Sequence, residues 1–262
     1  MPINFIEKTV EYCTVNKLFF CFVLGLLFVC QFITDYFDSV VIGPIIIAII
    51  MMGYGLQVTQ DIINGGKRLP KIMPKKVISF GLKGYFIFIF YVIIQAFLLA
   101  IVSVNLNFPE FELEEFIINY NDTLRLFMTH DPVNCAIFVI SGFVIVYVTS
   151  FFMELALARL ADGGKLVNAF NFPRIKHAVD IIGWKNYALD YTKIILSIVI
   201  LTHLLHYSVP FQLIDSIFDT ILSFLIFVIQ YIGIGEAYKA YVDNKKKKRV
   251  GIETYSINNA GL

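Results

Sequence analysis

Long uninterrupted apolar runs constrain this chain more than any other feature. A helix needs about 20 predominantly apolar residues to cross the hydrocarbon core of a bilayer. Six runs approach or exceed that length, at approximately Leu18–Thr34, Ser39–Leu56, Tyr85–Val104, Cys135–Ala158, Tyr191–Val209 and Phe211–Ala240. The last is longer than a bilayer and is expected to begin in the interface or to continue into the cytoplasm. The period-two alternation of a membrane barrel is absent, which leaves helices as the spanning element. The expected fold class is therefore all-α, a polytopic membrane bundle of about six transmembrane helices in three hairpins, with amphipathic interfacial helices.

Composition agrees. The chain is 58% hydrophobic and 16% charged with a mean hydropathy of +0.75, whereas soluble domains are roughly 45–50% apolar and about 25% charged. Residues 1–244 read as one transmembrane domain and 245–262 as a basic cytoplasmic tail. A net charge of +1 gives no reason to expect nucleic acid as a partner.

Orientation follows from the basic residues, which are retained on the cytoplasmic side of short loops. Lys8 and Lys17 precede the first run; Lys67, Arg68, Lys71, Lys75, Lys76 and Lys83 lie between the second and third. Arg159, Lys165, Arg174, Lys176, Lys185 and Lys193 surround the loop between the fourth and fifth, and Lys239 with Lys245 to Arg249 close the sixth. The opposite side carries Arg125 and the acidic residues Asp35, Asp38, Glu110, Glu112, Glu114, Glu115, Asp122, Asp131 and Asp215. Both termini are expected inside a multi-pass cell-membrane protein. The sequon Asn121-Asp122-Thr123 falls on the outer side. Glu7 and Glu11 interrupt what would be a signal peptide's basic region, and no small-residue cleavage site follows, so the first run is expected to remain.

Four cysteines, Cys13, Cys21, Cys30 and Cys135, lie in or beside apolar segments without zinc-binding spacing. They read as apolar filler, and neither a metal nor any other cofactor is expected.

The chain repeats a unit. Asn64-Gly65-Gly66-Lys67, then Pro74, a basic stretch and the third run are echoed by Asp162-Gly163-Gly164-Lys165, Pro173, another such stretch and the fifth run. Glycine accepts the left-handed conformation that ends a helix, and proline suits the first turn of the next. Two cytoplasmic elbows of one design are expected. The sixth run is expected to end likewise, with Gly233-Ile234-Gly235 in the place of Gly53-Tyr54-Gly55 and Asn244 in that of Asn64.

In the second elbow, helical spacing puts Ile175, Ala178, Val179 and Ile182 on one face and Arg174, Lys176, Asp180 and Lys185 around the others, with Trp184 near the end. Such a helix is expected on the membrane surface. Arg174, Lys176, Lys185 and Trp184 are candidates for anionic lipid headgroups, each basic residue being worth about 1 kcal/mol close to the surface; the plainer alternative is that these charges only fix topology. On the outer side Leu113, Phe116, Ile117, Tyr120, Leu124 and Phe127 recur at helical spacing and read as a capping helix.

The residues also resemble a known family. Gly53-Tyr54 with Gly65 and Leu69-Pro70, Gly81-Leu82-Lys83, Ala156-Leu157-Ala158-Arg159 with Gly164 and Ala169-Phe170-Asn171-Phe172, and Ala237-Tyr238 together resemble the largely archaeal polytopic membrane proteins of domain of unknown function 4013. The resemblance covers the chain from about the first run to Tyr241. The family usually carries acidic and tryptophan residues after the Leu-Pro pair, where this chain has Lys71, Ile72 and Met73. What the resemblance implies is a bundle without an assigned activity, and it transfers no catalytic residues.

Ionisable groups inside the membrane are the remaining candidates. Glu154 and Glu236 occupy the register of Leu56 in the repeat, near the cytoplasmic ends of the fourth and sixth runs, and are candidate ligand or ion residues together with Arg159. They either face a shared polar cavity or pair with neighbours such as Arg159 and Lys239. His203 and His206 stand one turn apart but lack the His-Glu-x-x-His pattern. Gln95 and Gln230 are expected to hydrogen-bond between helices. Without a phosphate-binding glycine-lysine loop, a nucleophile elbow or an acid/base pair on one face, no enzyme is expected. The leading reading is a non-enzymatic protein that organises, senses or scaffolds the membrane; the alternative is a transporter or lipid carrier with its site near Glu154 and Glu236.

Overall fold

A computed structural model describes residues 2–25, 42–106, 128–129, 131–163, 165–205 and 212–259. Among the described residues every regular element is a helix. In chain order these are α1 (Pro2–Thr14), α2 (17–25), α3 (Ile42–Ile63), α4 (Pro74–Asn105), α5 (Pro132–Ala161), the single turn α6 (Leu166–Ala169), α7 (Phe172–Ile182), α8 (Trp184–Leu205) and α9 (Gln212–Asn259). Among the described residues, four helices contain segments long and apolar enough to cross a membrane: Ile45–Ile63, Pro74–Asn105, Pro132–Ala161 and Thr220–Lys245. The first run is described only to residue 25, and the fifth corresponds to α8, in which Lys185, Asp190 and Lys193 interrupt the apolar sequence. The sequon, the outer amphipathic segment, Cys30 and His206 lie outside the described residues.

The chain divides into two compact units, Met1–Ile87 with Glu154–Leu262, and Phe88–Met153. In the first, α9 is the hub, packing against α1, α3, α7 and α8. Ile194 and Leu201 of α8 and Leu222 and Ile229 of α9 form a buried cluster flanked by Ile6 of α1. Small residues set the closest approaches. A Cβ at Gly53 would lie 1.9 Å from the Val77 carbonyl oxygen, and one at Gly81 would lie 2.1 Å from that of Ile49. Each glycine thus faces the carbonyl four residues before the other, a reciprocal backbone crossing of α3 and α4 of the kind small residues permit between apolar helices. Gly235 of α9 makes a looser approach to α3, where a Cβ would lie 2.9 Å from the Ile62 side chain and 3.1 Å from the Thr59 carbonyl oxygen.

Both elbows end their first helix as the glycine pairs require. Gly65 and Gly163 each have φ of +86°. The Gly65 N–H donates to the Ile62 carbonyl (3.0 Å) and the Gly66 N–H to that of Asp61 (2.8 Å), the two bonds of a Schellman cap. Gly163 donates likewise to Leu160 at 3.2 Å. Pro74 opens α4, and Pro173 sits in the first turn of α7, where the Asn171 side chain accepts from the Arg174 N–H at 3.2 Å. The third stop does not occur: α9 runs through Asn244 to Asn259. Lysines rather than a glycine pair follow Asn244, so the glycine that takes the left-handed conformation in both elbows has no counterpart there.

In the second unit, Gln95 donates to Thr149 (2.7 Å) and Ser150 (3.3 Å), joining α4 to α5. This is the interhelical role expected of it.

Candidate functional site

The first unit gathers its polar side chains around the ends of α3, α5 and α9. On α3, a buried Gln57 donates to the Lys71 carbonyl and accepts from the Met73 N–H, while Tyr54 donates to the Pro70 carbonyl at 3.3 Å. Two side chains one helical turn apart thereby fix the backbone of the first elbow, satisfying groups that an irregular segment would otherwise leave open.

Helix α1 was not expected from the long runs. It is amphipathic, with Thr9, Tyr12 and Cys13 buried and Glu7, Lys8, Val10 and Glu11 exposed, and it packs on α8 and α9. The Tyr12 hydroxyl donates to Asp61 Oδ2 at 2.9 Å. Burial, and secondarily the Asp61 charge, push that phenol above its ordinary range, and burial pushes the Cys13 thiol up to about 12. The spacing of Thr9, Tyr12 and Cys13 was available in the sequence, but the segment is too short to register as a span.

Two clefts open among these elements. The first, about 380 Å³, is lined by Lys8, Ile62, Gly66, Glu236, Lys239, Ala240 and Asp243. Glu236 is half-exposed there and meets Lys8 at 3.9 Å, so its ion-pair partner comes from α1. The second, about 200 Å³, is lined by Arg159, Asp162, Gly163, Asn168, Tyr238, Tyr241 and Lys245. Glu154 lines neither. It is buried at 5% exposure, with Gln230 donating to its carboxylate, Tyr231 beside it, and Oε2 without a hydrogen-bond partner. Glu154, Glu236 and Arg159 thus occupy three settings: the buried interior beside Gln230 and Tyr231 of α9, a cleft shared with α1, and a cleft shared with the second elbow.

In α7 the four residues expected on one face, Ile175, Ala178, Val179 and Ile182, are the buried ones, and the helix packs against α8 and α9. That apolar face is covered by protein. What remains outward is polar and aromatic: Arg174, Lys176 and Lys185 are exposed, as are Phe170, Phe172 and Trp184. Trp184 Nε1 donates to Asp180 at 2.7 Å, and Arg174 Nη1 to Asn168 Oδ1 at 3.0 Å.

His203 is exposed, and no group of three or more metal-ligating side chains occurs among the described residues. Cys13 and Cys135 are buried and Cys21 is exposed.

Among the described residues, these features define an all-helical protein with four helices that fit a membrane protein. The chain belongs to the family described as protein of unknown function (DUF4013), whose model matches residues 37–209. The match includes Glu154, Arg159 and the second elbow and stops before α9, leaving Glu236 and Lys245 beyond it. No curated protein and no solved structure matches.

Proposed function

We propose that this is a non-enzymatic, six-span protein of the cell membrane, both termini cytoplasmic, that senses or organises the anionic inner leaflet through its second elbow. The observation that carries this is the division of α7, whose apolar face is covered by α8 and α9 while Arg174 and Lys176, followed by Lys185, stay exposed beside Phe170, Phe172 and Trp184. Basic residues among exposed aromatics match an anionic interface, where aromatic rings sit at headgroup level. Three such residues contribute on the order of 3 kcal/mol close to an anionic surface. The distribution of basic residues along the chain supports the orientation, and α8, at 22 residues, has the length of a span.

Trp184 is the sole tryptophan, so its fluorescence reports this elbow alone. In proteoliposomes, quenching by lipids brominated near the headgroup is expected to deepen as phosphatidylglycerol replaces phosphatidylcholine. The K176Q/K185Q variant is expected to lose that dependence. Quenching indifferent to lipid charge in the wild type would refute the proposal.

A second reading, a carrier, is favoured by one observation: the buried Glu154 carboxylate with an unpartnered oxygen beside Gln230 and Tyr231. Buried ionic groups in membrane segments tend to mark paths or sites. Native mass spectrometry should then reveal a bound small molecule or cation that Glu154→Gln removes. An identical spectrum for the variant would exclude it.

A further inference from the structure

The cleft between α9 and the end of α5 gathers several hydrogen-bond donors around a single carboxylate. Tyr238, Tyr241 and Lys245 lie on one face of α9, with ring centroids of the tyrosines 5.2 Å apart and Lys245 Nζ 5.7 Å from the centre of the Tyr241 ring. Opposite them, Arg159 occupies the last turn of α5, and Asp162 and Gly163 form its cap. Tyr238 donates its hydroxyl to Asp162, which engages the one carboxylate lining the cleft. Asn168 accepts from Arg174 with Oδ1, which leaves its Nδ2 amide as the donating end. Two cations and an amide, Arg159, Lys245 and Asn168, therefore line about 200 Å³ together with the Asp162 carboxylate that Tyr238 engages, and a third cation, Arg174, is held on Asn168. Guanidinium and ammonium donors bind phosphate oxygens through charge-assisted bonds of roughly twice ordinary strength.

We propose that this cleft binds one phosphate group, supplied by the headgroup of a phospholipid, through Arg159, Lys245 and Asn168. The inference rests on the membrane-surface reading of the second elbow and deepens it. The outward face of α7 provides non-stoichiometric attraction, whereas the cleft selects a single phosphate. Free phosphate presents the same oxygens, and the two sources separate by competition.

The test is native mass spectrometry of the full chain released from detergent with added phosphatidylglycerol, and separately with inorganic phosphate as competitor. One phosphatidylglycerol per chain is expected to survive collisional activation. Its apparent affinity should fall at least tenfold in R159Q/K245Q and stay within twofold of wild type in K176Q/K185Q. Since Lys245 is exposed, K245Q alone keeps the test available if the Arg159 change impairs folding, and a threefold or greater loss is expected from it. Displacement of the lipid by millimolar inorganic phosphate would support the same donors with soluble phosphate as the source. Absence of a stoichiometric species in the wild type, or equal loss in the cleft and elbow variants, would overturn the cleft while leaving Trp184 quenching to judge the elbow independently.

Discussion

Adding one methyl group at the crossing of α3 and α4 tests how far the glycines there determine the packing. A Cβ at Gly81 would stand 2.1 Å from the Ile49 carbonyl oxygen, and one at Gly53 would stand 1.9 Å from that of Val77. Both are more than an ångström inside the 3.4 Å at which ordinary contact begins. The obstructing atoms are backbone, so no side chain can turn aside; the helices must part. Overpacking of this kind costs about 1–3 kcal/mol, partly offset by the roughly 1 kcal/mol by which alanine is favoured over glycine within a helix. Each single variant, Gly53→Ala or Gly81→Ala, should therefore lose up to about 2 kcal/mol and stand about 1–3 kcal/mol below a glycine-to-alanine change that meets no obstruction. Because the two glycines face each other's preceding turn, the second methyl enters a gap already opened, and G53A/G81A should fall short of additivity by about 1 kcal/mol. Gly142→Ala is the control. Its Cβ would meet Leu99 at 3.5 Å, so it should be neutral or stabilising. Reversible unfolding in mixed micelles, followed by far-ultraviolet circular dichroism and Trp184 emission, reads all four. If Gly53→Ala and Gly81→Ala prove as stable as Gly142→Ala, the close crossing does not exist.

Gly65→Ala and Gly163→Ala should each cost about 1–2 kcal/mol in the same assay, through the left-handed φ alone, since the nearest atom to a Cβ at Gly65 is 3.9 Å away and none lies within 4 Å at Gly163; unchanged stability would refute the cap. Tyr12→Phe removes the bond to Asp61 and should cost about 1 kcal/mol, seen as faster amide exchange throughout α1; unaltered exchange would show that α1 is held by apolar packing alone. Cys13 should react with maleimide far more slowly than Cys21 at neutral pH, because it is buried and its thiol is pushed up to about 12. The folded state holds that thiol neutral, so its contribution to stability is intact below the ordinary value of 9.0 and declines as pH rises toward 12. A Cys13→Ser variant should lack that alkaline loss.

The elbows were the most legible part of the fold, because glycine and proline act through local backbone geometry that the sequence states directly. Gly65, Gly163, Pro74 and Pro173 all stand where that geometry places them. The face of α7 was legible for a related reason, since a period of 3.6 fixes which residues share a side. What covers that face was not legible, because periodicity cannot tell a lipid from a neighbouring helix. Partners distant in sequence were hidden for the same reason. Glu236 meets Lys8 rather than Lys239, and Glu154 meets Gln230 rather than Arg159. The cleft joining Arg159 to Lys245 depends on α9 continuing past Asn244 as a helix, which the analogy with Asn64 argued against.

That continuation has a mechanical consequence. At 1.5 Å per residue, the 48 residues of α9 make a rod of about 72 Å, more than twice the roughly 30 Å thickness of a hydrocarbon core. Helices α1, α3, α7 and α8 all lean on this rod, and both polar clefts are cut partly into its side. A tilt of about 10° would carry one end some 12 Å relative to the other, by the same rise per residue. Movements too small to notice at a cleft would then become large excursions at residue 259, as the tip of a pointer magnifies a turn at its pivot.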